Sequence, residues 1–251
     1  YNWLIKNLVV IKPSSIWRDF EYYFDDASLS LINDLINVFD TGVTEVKIVE
    51  ITLEELQNEL PSEIYDDIMK QISTAIDNEN NSSLKISLRS DRSFFNIEFG
   101  RDTDIKITTI GLKHGKSYYD FKYDEESDGT RRVFDLLDML LNKSNDCVYI
   151  VDELDRSLHP KLTSMFIKLF NEKHKNKNMQ LLFTTHESSI MDQDLFRRDE
   201  IWFVERDKNN CSHIYSLDKF KERYDKKLSK AYLEGRYGAI PVLTSFKFKE
   251  D

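Results

Sequence analysis

Apolar and polar residues recur with two different periods along this chain, and the places where the period switches predict its elements. "LVVIKP" (8–13) is a short apolar run closed by proline and reads as a buried strand. "SLSLINDLINVFDTG" (28–42) sets Leu31, Leu35, Ile36 and Phe39 at helical spacing, with Gly42 as the stop. "VTEVKIVEI" (43–51) alternates and reads as a strand. Two helices follow, "TLEELQNEL" (52–60) and "PSEIYDDIMKQISTAI" (61–76). Thr52 with Glu55 fits a capping box, and Pro61 fits a helix start. Beyond the turn-rich "NENNSS" (78–83), the segments "LKISLRS", "FFNIEFG", "IKITTIGLK" and "SYYDFKY" between 84 and 123 have period two, which predicts a β-meander.

From 127 onward helices and strands alternate, as in an α/β unit: helix 128–142, strand 147–151, helix 160–175, strand 180–185, then a hairpin in "IWFVERDKNNCSHIYSL" (201–217). A boundary near 125 therefore separates residues 1–124, helical and then meandering, from residues 125–251.

Composition narrows the classes. With 251 residues, 40% hydrophobic and 32% charged, the chain can bury a sizeable core and stay in water. Only 7 glycines and 4 prolines argue against linkers. A net charge of −10 disfavours a broad basic face for nucleic acid, so a nucleic-acid contact is left open with no residues to carry it. Cys147 and Cys211 lack metal-ligand spacing and suit a reducing, cytoplasmic compartment. No apolar run approaches the roughly 20 residues of a membrane span, and no secretory signal pattern is visible.

Three segments carry candidate chemistry. "CVYIVDELD" is an apolar run ending in Asp152–Glu153. One carboxylate at a strand end can hold a hydrated magnesium ion, and the next can orient or deprotonate a water. Alone, the run reads equally well as a strand leaving the core on charged residues. "LLFTTHES" (181–188) ends a second apolar strand near His186, which could contact a γ-phosphate or simply bond backbone. "EESDGTRR" (125–132) precedes an apolar helix, so Ser127 and Gly129 present a hydroxyl and bare N–H groups where a helix attracts phosphate; the plainer reading is an N-cap with a glycine turn.

A fourth segment imitates a phosphate loop. "GLKHGKS" (111–117) contains GKS, yet only three residues separate Gly111 from Gly115, where the P-loop needs four, and a strand pattern follows in place of a helix. It reads as a hairpin turn, and no other stretch of the chain matches the P-loop pattern. "MDQDLF" holds a D-x-D at Asp192 and Asp194, read here as a helix start or loop. Arg197 and Arg198 are expected to make local or subunit contacts.

Order and spacing say more than any one segment. A Ser/Gly signature opens a helix, an apolar strand ending in Asp-Glu follows 23 residues after Gly129, and a strand-end histidine follows 34 residues after Asp152. Together "ESDGTRR", "VDELDRSLHP", "FTTHE", "FRRDEIWFVERD" and "LEGRYGAIP" resemble the C-terminal half of bacterial ABC-type, SMC-like ATPases of the AAA and abortive-infection group, including ATPase subunits of Septu and retron-linked phage-defence systems. The resemblance is concentrated in 125–241.

The resemblance implies an α/β fold: the C-terminal lobe of an ABC-type P-loop NTPase domain, preceded by a helical insertion and a β-meander. It also implies roles. Asp152 would hold Mg2+, Glu153 would be the catalytic base and His186 the switch histidine. Asp155 and Ser157 would lie in a D-loop along a dimer seam. Ser127, Asp128 and Gly129 would form a signature that caps ATP bound to the opposite subunit. The implied cofactors are ATP and Mg2+. The implied partners are a second subunit, in a homodimer or larger oligomer closed over ATP, and an effector such as a nuclease. The Walker A loop and Q-loop are expected upstream of Tyr1. Two other readings stay open: an SMC-like repair or chromosome-maintenance ATPase, although no heptad run occurs in 1–124, and a non-catalytic module with relic motifs.

Overall fold

The computed structural model describes residues 1–13, 15, 20–77, 83–90, 92–100, 103–221 and 227–241. In chain order the elements are α1 (Asn2–Asn7), β1 (Leu8–Ile11), α2 (Asp26–Val38), β2 (Val43–Ile51), α3 (Leu53–Glu59), α4 (Ser62–Asp77), β3 (Ser83–Arg89), β4 (Phe94–Gly100), β5 (Thr103–His114), β6 (Asp120–Phe121), α5 (Asp128–Leu141), β7 (Asp146–Val151), α6 (Pro160–His174), β8 (Asn178–Phe183), β9 (Trp202–Arg206), β10 (Ser212–Ser216) and α7 (Leu228–Leu233). The arrangement is mixed α/β, with a parallel sheet β1-β7-β8, an antiparallel sheet β2-β5-β4-β3 carrying β6 beside β5, and the hairpin β9–β10.

Local chemistry sets the helix starts. Asp25 accepts from the Ser28 N–H ahead of α2, and Thr52 and Glu55 exchange both bonds of a capping box at α3. Ser127 caps α5, and His159 with Pro160 opens α6. Several elements differ from the sequence pattern, among them α7, a helix the pattern does not mark, and β8, which begins and ends two residues earlier than 180–185. Helix α1 precedes β1. Helix α2 ends at Val38, and the left-handed residues of the following turn are Asp40 (φ 48°) and Gly42 (φ 88°), so Gly42 shapes the turn instead of stopping the helix. Of the predicted strand "SYYDFKY", only Asp120–Phe121 pairs.

The antiparallel sheet is the predicted meander β3-β4-β5 with β2 added against β5. Successive strand residues face opposite ways. Phe95, Ile97 and Ile107 accordingly pack on Leu56, Ile68 and Ile72 of α3 and α4, while Phe94, Val46, Ile110 and Leu112 join the main core. That main core also holds Val133, Phe134 and Leu137 of α5, Tyr149 and Val151 of β7, and Phe166 and Phe170 of α6. It therefore draws on residues from both sides of position 125.

The parallel sheet shows two unlike faces. Val9, Tyr149 and Leu181 stand in register on the covered side, with the Tyr149 ring edge-on to Phe170. On the other side Val10, Ile150 and Leu182, also in register, are 55%, 38% and 51% exposed. All-parallel sheets are ordinarily covered on both faces.

Candidate functional site

The three parallel strands end together, at Ile11, Val151 and Phe183. The residues that follow converge at the carboxyl end of the sheet, where open α/β sheets bind their ligands. Asp152 N–H donates to the Ile11 carbonyl at 2.8 Å, and Thr184 N–H donates to the Val151 carbonyl at 3.0 Å. Each bond extends a ladder by one residue and places the two side chains side by side.

Thr184 then organises the turn. Its hydroxyl donates to Asp152 Oδ1 at 2.6 Å and accepts from the Glu153 N–H at 2.9 Å, while its carbonyl accepts from the Leu154 N–H at 3.1 Å. Glu153 is held in the left-handed region, φ 51°, which is uncommon outside glycine. Its carboxylate keeps 41% of its surface, and Oε1 lies 4.0 Å from His186 Nε2. His186 is 88% exposed at its side chain. The structure thus brings Asp152, Glu153 and His186 together.

Asp155 and Ser157 continue the same loop. The Asp155 carbonyl accepts from the Leu158 N–H, and Asp155 Oδ1 is buried with no hydrogen-bond partner among the described residues. Ser157 is a second left-handed residue, φ 61°. Arg156 reaches back to the Pro13 carbonyl, tying the loop to the end of β1.

Ser127, Asp128 and Gly129 open α5. The Ser127 hydroxyl accepts from the Thr130 N–H at 3.1 Å and bonds the Thr130 hydroxyl at 2.9 Å. Asp128 is exposed and pairs with Arg131 at 2.5 Å. Gly129 sits against the loop: a Cβ there would lie 2.8 Å from the Ser157 carbonyl oxygen. One helical turn later Arg132 is buried, and its Nη2 donates to the Glu153 carbonyl at 3.2 Å. Burial lowers the Arg132 guanidinium from its ordinary value, opposed by Asp135. Burial raises Asp135 in turn, opposed first by Arg89.

Sequence reasoning missed Thr184 and Arg132. The signal for Thr184 was present, a hydroxyl at the end of the strand beside the one carrying the acids. Arg132 had no such signal, because its target is a backbone oxygen.

The remaining motifs take structural places. "GLKHGKS" runs from the end of β5 through Gly115 (φ 52°) toward β6, a hairpin turn whose Gly115 N–H donates to Thr44 Oγ1. Asp192 shapes a turn, its Oδ1 accepting from the Asp194 N–H and its carbonyl from Leu195 and Phe196. Arg197 pairs with Asp199 and Glu200, and Arg198 donates to the Leu217 and Phe220 carbonyls. Among the described residues no group of three His, Cys, Asp or Glu side chains converges to hold a metal by itself, and no helix is long and apolar enough to cross a membrane.

No curated protein matches the chain. Residues 11–192 match the family described as "AAA domain, putative AbiEii toxin, Type IV TA system", a span that includes Ser127–Gly129, Asp152–Ser157 and His186. That span covers well over half of the 251 residues, and the chain belongs to this AAA-domain family.

Proposed function

We propose that this chain is the hydrolytic lobe of an ATPase, in which Asp152 holds the metal, Glu153 is the base and His186 faces the γ-phosphate. The observation that carries the reading is the Thr184-anchored turn, which fixes Asp152 while leaving the Glu153 carboxylate exposed, 4.0 Å from His186. AAA-family membership supports nucleotide binding. Mg2+ takes one or two carboxylates with phosphate oxygens and several waters. An exposed Asp152 with one oxygen already anchored suits that donor set. The ion, when bound, would neutralise phosphate charge. Glu153 would accept the proton of the attacking water, and His186 would donate toward the phosphate.

Ser127, Asp128 and Gly129 would act from the opposite subunit, at the N-terminus of α5, so that ATP closes a dimer. The P-loop pattern is not matched in this sequence, and the phosphate cradle would be supplied by another segment. The open face at Val10, Ile150 and Leu182 gives such a segment an apolar surface to cover. The wider role follows the resemblance to abortive-infection ATPases, with which the family's description as a putative AbiEii toxin agrees. In this reading a cytoplasmic complex uses its nucleotide state to control an effector, such as a nuclease, during phage infection.

The test is Glu153→Gln in the full-length protein. Turnover of Mg-ATP should fall by roughly 10²- to 10⁴-fold, while ATP binding persists and the dimer accumulates. Unchanged turnover removes Glu153 as the base. Equal plaque counts on cells expressing wild type and cells lacking the protein would refute the defence role.

A further inference from the structure

Positions three apart on a helix share a face. Gly129 and Arg132 of α5 are such a pair, and both meet the loop that carries Glu153: Gly129 at the Ser157 carbonyl and Arg132 at the Glu153 carbonyl. The Glu153 carbonyl also accepts from the Arg156 N–H at 3.1 Å. A carbonyl has two lone pairs, and here a backbone donor and a side-chain donor engage them. The left-handed Glu153 is therefore fixed from both ends, by Thr184 at its N–H and by Arg132 and Arg156 at its carbonyl.

Arg132 is itself held in place. Only 7% of its side chain is exposed, its Nη1 lies 3.9 Å from Asp135 Oδ2, and Asp135 pairs with Arg89 at 2.5 Å. Its Nε is buried with no partner among the described residues, so the group accepts an incomplete set of bonds at this site. A buried guanidinium with an unpaired N–H is costly. An apolar residue of similar length would fill the space without that cost.

We propose that Arg132 is a positioning residue for hydrolysis, holding the Glu153 backbone in the left-handed conformation that aims its carboxylate at the nucleotide. The inference rests on Glu153 being the base. Arg132 touches no reacting atom, and its effect passes through the turn.

The experiment uses Arg132→Lys and Arg132→Met in the full-length protein. Lysine keeps a charge facing Asp135 but lacks the forked guanidinium. For Arg132→Lys, kcat should fall by about 10- to 100-fold with the KM for ATP changed by less than about threefold, as a misplaced catalytic group dictates. In the Glu153→Gln background the same substitution should lower the residual rate by less than about twofold, because the group it positions is gone. A wild-type kcat in Arg132→Lys, or an equal loss in both backgrounds, overturns the proposal. Amide exchange across Asp152–Ser157 reads the turn without reference to turnover. Faster exchange in Arg132→Met supports the assignment, and unchanged exchange refutes it. If Glu153→Gln alone leaves turnover intact, the base assignment fails, and the exchange result still shows whether Arg132 holds the turn.

Discussion

The Thr184 hydroxyl stands between the two acids of the site, donating to Asp152 Oδ1 at 2.6 Å and accepting from the Glu153 N–H at 2.9 Å. One oxygen thus holds both the Asp152 carboxylate and the backbone of its neighbour. Thr184→Val keeps the shape and removes both bonds. Because the group is exposed, the stability cost should be only about 1 kcal/mol. Turnover in the full-length protein should fall roughly 10- to 100-fold. Thr184→Ser, which keeps the hydroxyl, should recover most of it. Denaturant melts beside ATPase rates measure the two effects separately.

Gly129 is small for a reason outside its own helix. Alanine would ordinarily favour an α-helix by up to about 1 kcal/mol over glycine. Here its Cβ would press to 2.8 Å on the Ser157 carbonyl, a backbone atom that cannot swing aside. The clash should win, with Gly129→Ala destabilising by about 1–3 kcal/mol. A lower denaturation midpoint at unchanged m-value is the expected reading, and a raised midpoint would show that the loop yields freely.

His174 predicts a pH dependence of stability. It is buried against the Phe170 ring, and its Nε2 lies 3.1 Å from the Met139 carbonyl. Burial lowers its folded pKa from the ordinary 6.5, with Lys177 and Lys173 pushing the same way and the Met139 carbonyl opposing. The folded state therefore disfavours the charged ring. The stability contribution is fully present above 6.5 and falls away as pH drops below it through the folded value. Melts at pH 7.5 and 5.5 should differ more for wild type than for His174→Gln. An identical pH response in the two proteins would remove His174 as the cause.

Much of the fold was legible because local rules agreed with it. Ser127, Thr52 and Pro160 mark helix starts wherever they sit, since capping depends only on neighbours in sequence. The alternation in "FFNIEFG" (94–100) and "IKITTIGLK" (105–113) announced strands β4 and β5. Strand β2 was legible as a strand, but its place beside β5 was not, because pairing partners lie about 60 residues apart and periodicity says nothing of distance.

The acids and the histidine of the site were visible in the same way, as residue types at strand ends. Read alone, the sequence marked most helices and strands, α1 and α7 excepted, and the order Ser127–Gly129, Asp152–Glu153, His186. Tertiary structure decided what holds them. Thr184 bridges two strands, Arg132 reaches a carbonyl 21 positions away, and Gly129 lies under a loop it precedes by 28 residues. The Arg132 and Gly129 contacts are made to backbone atoms that every residue carries, so no residue pattern encodes the partner. They exist only once α5 and the parallel sheet share one core.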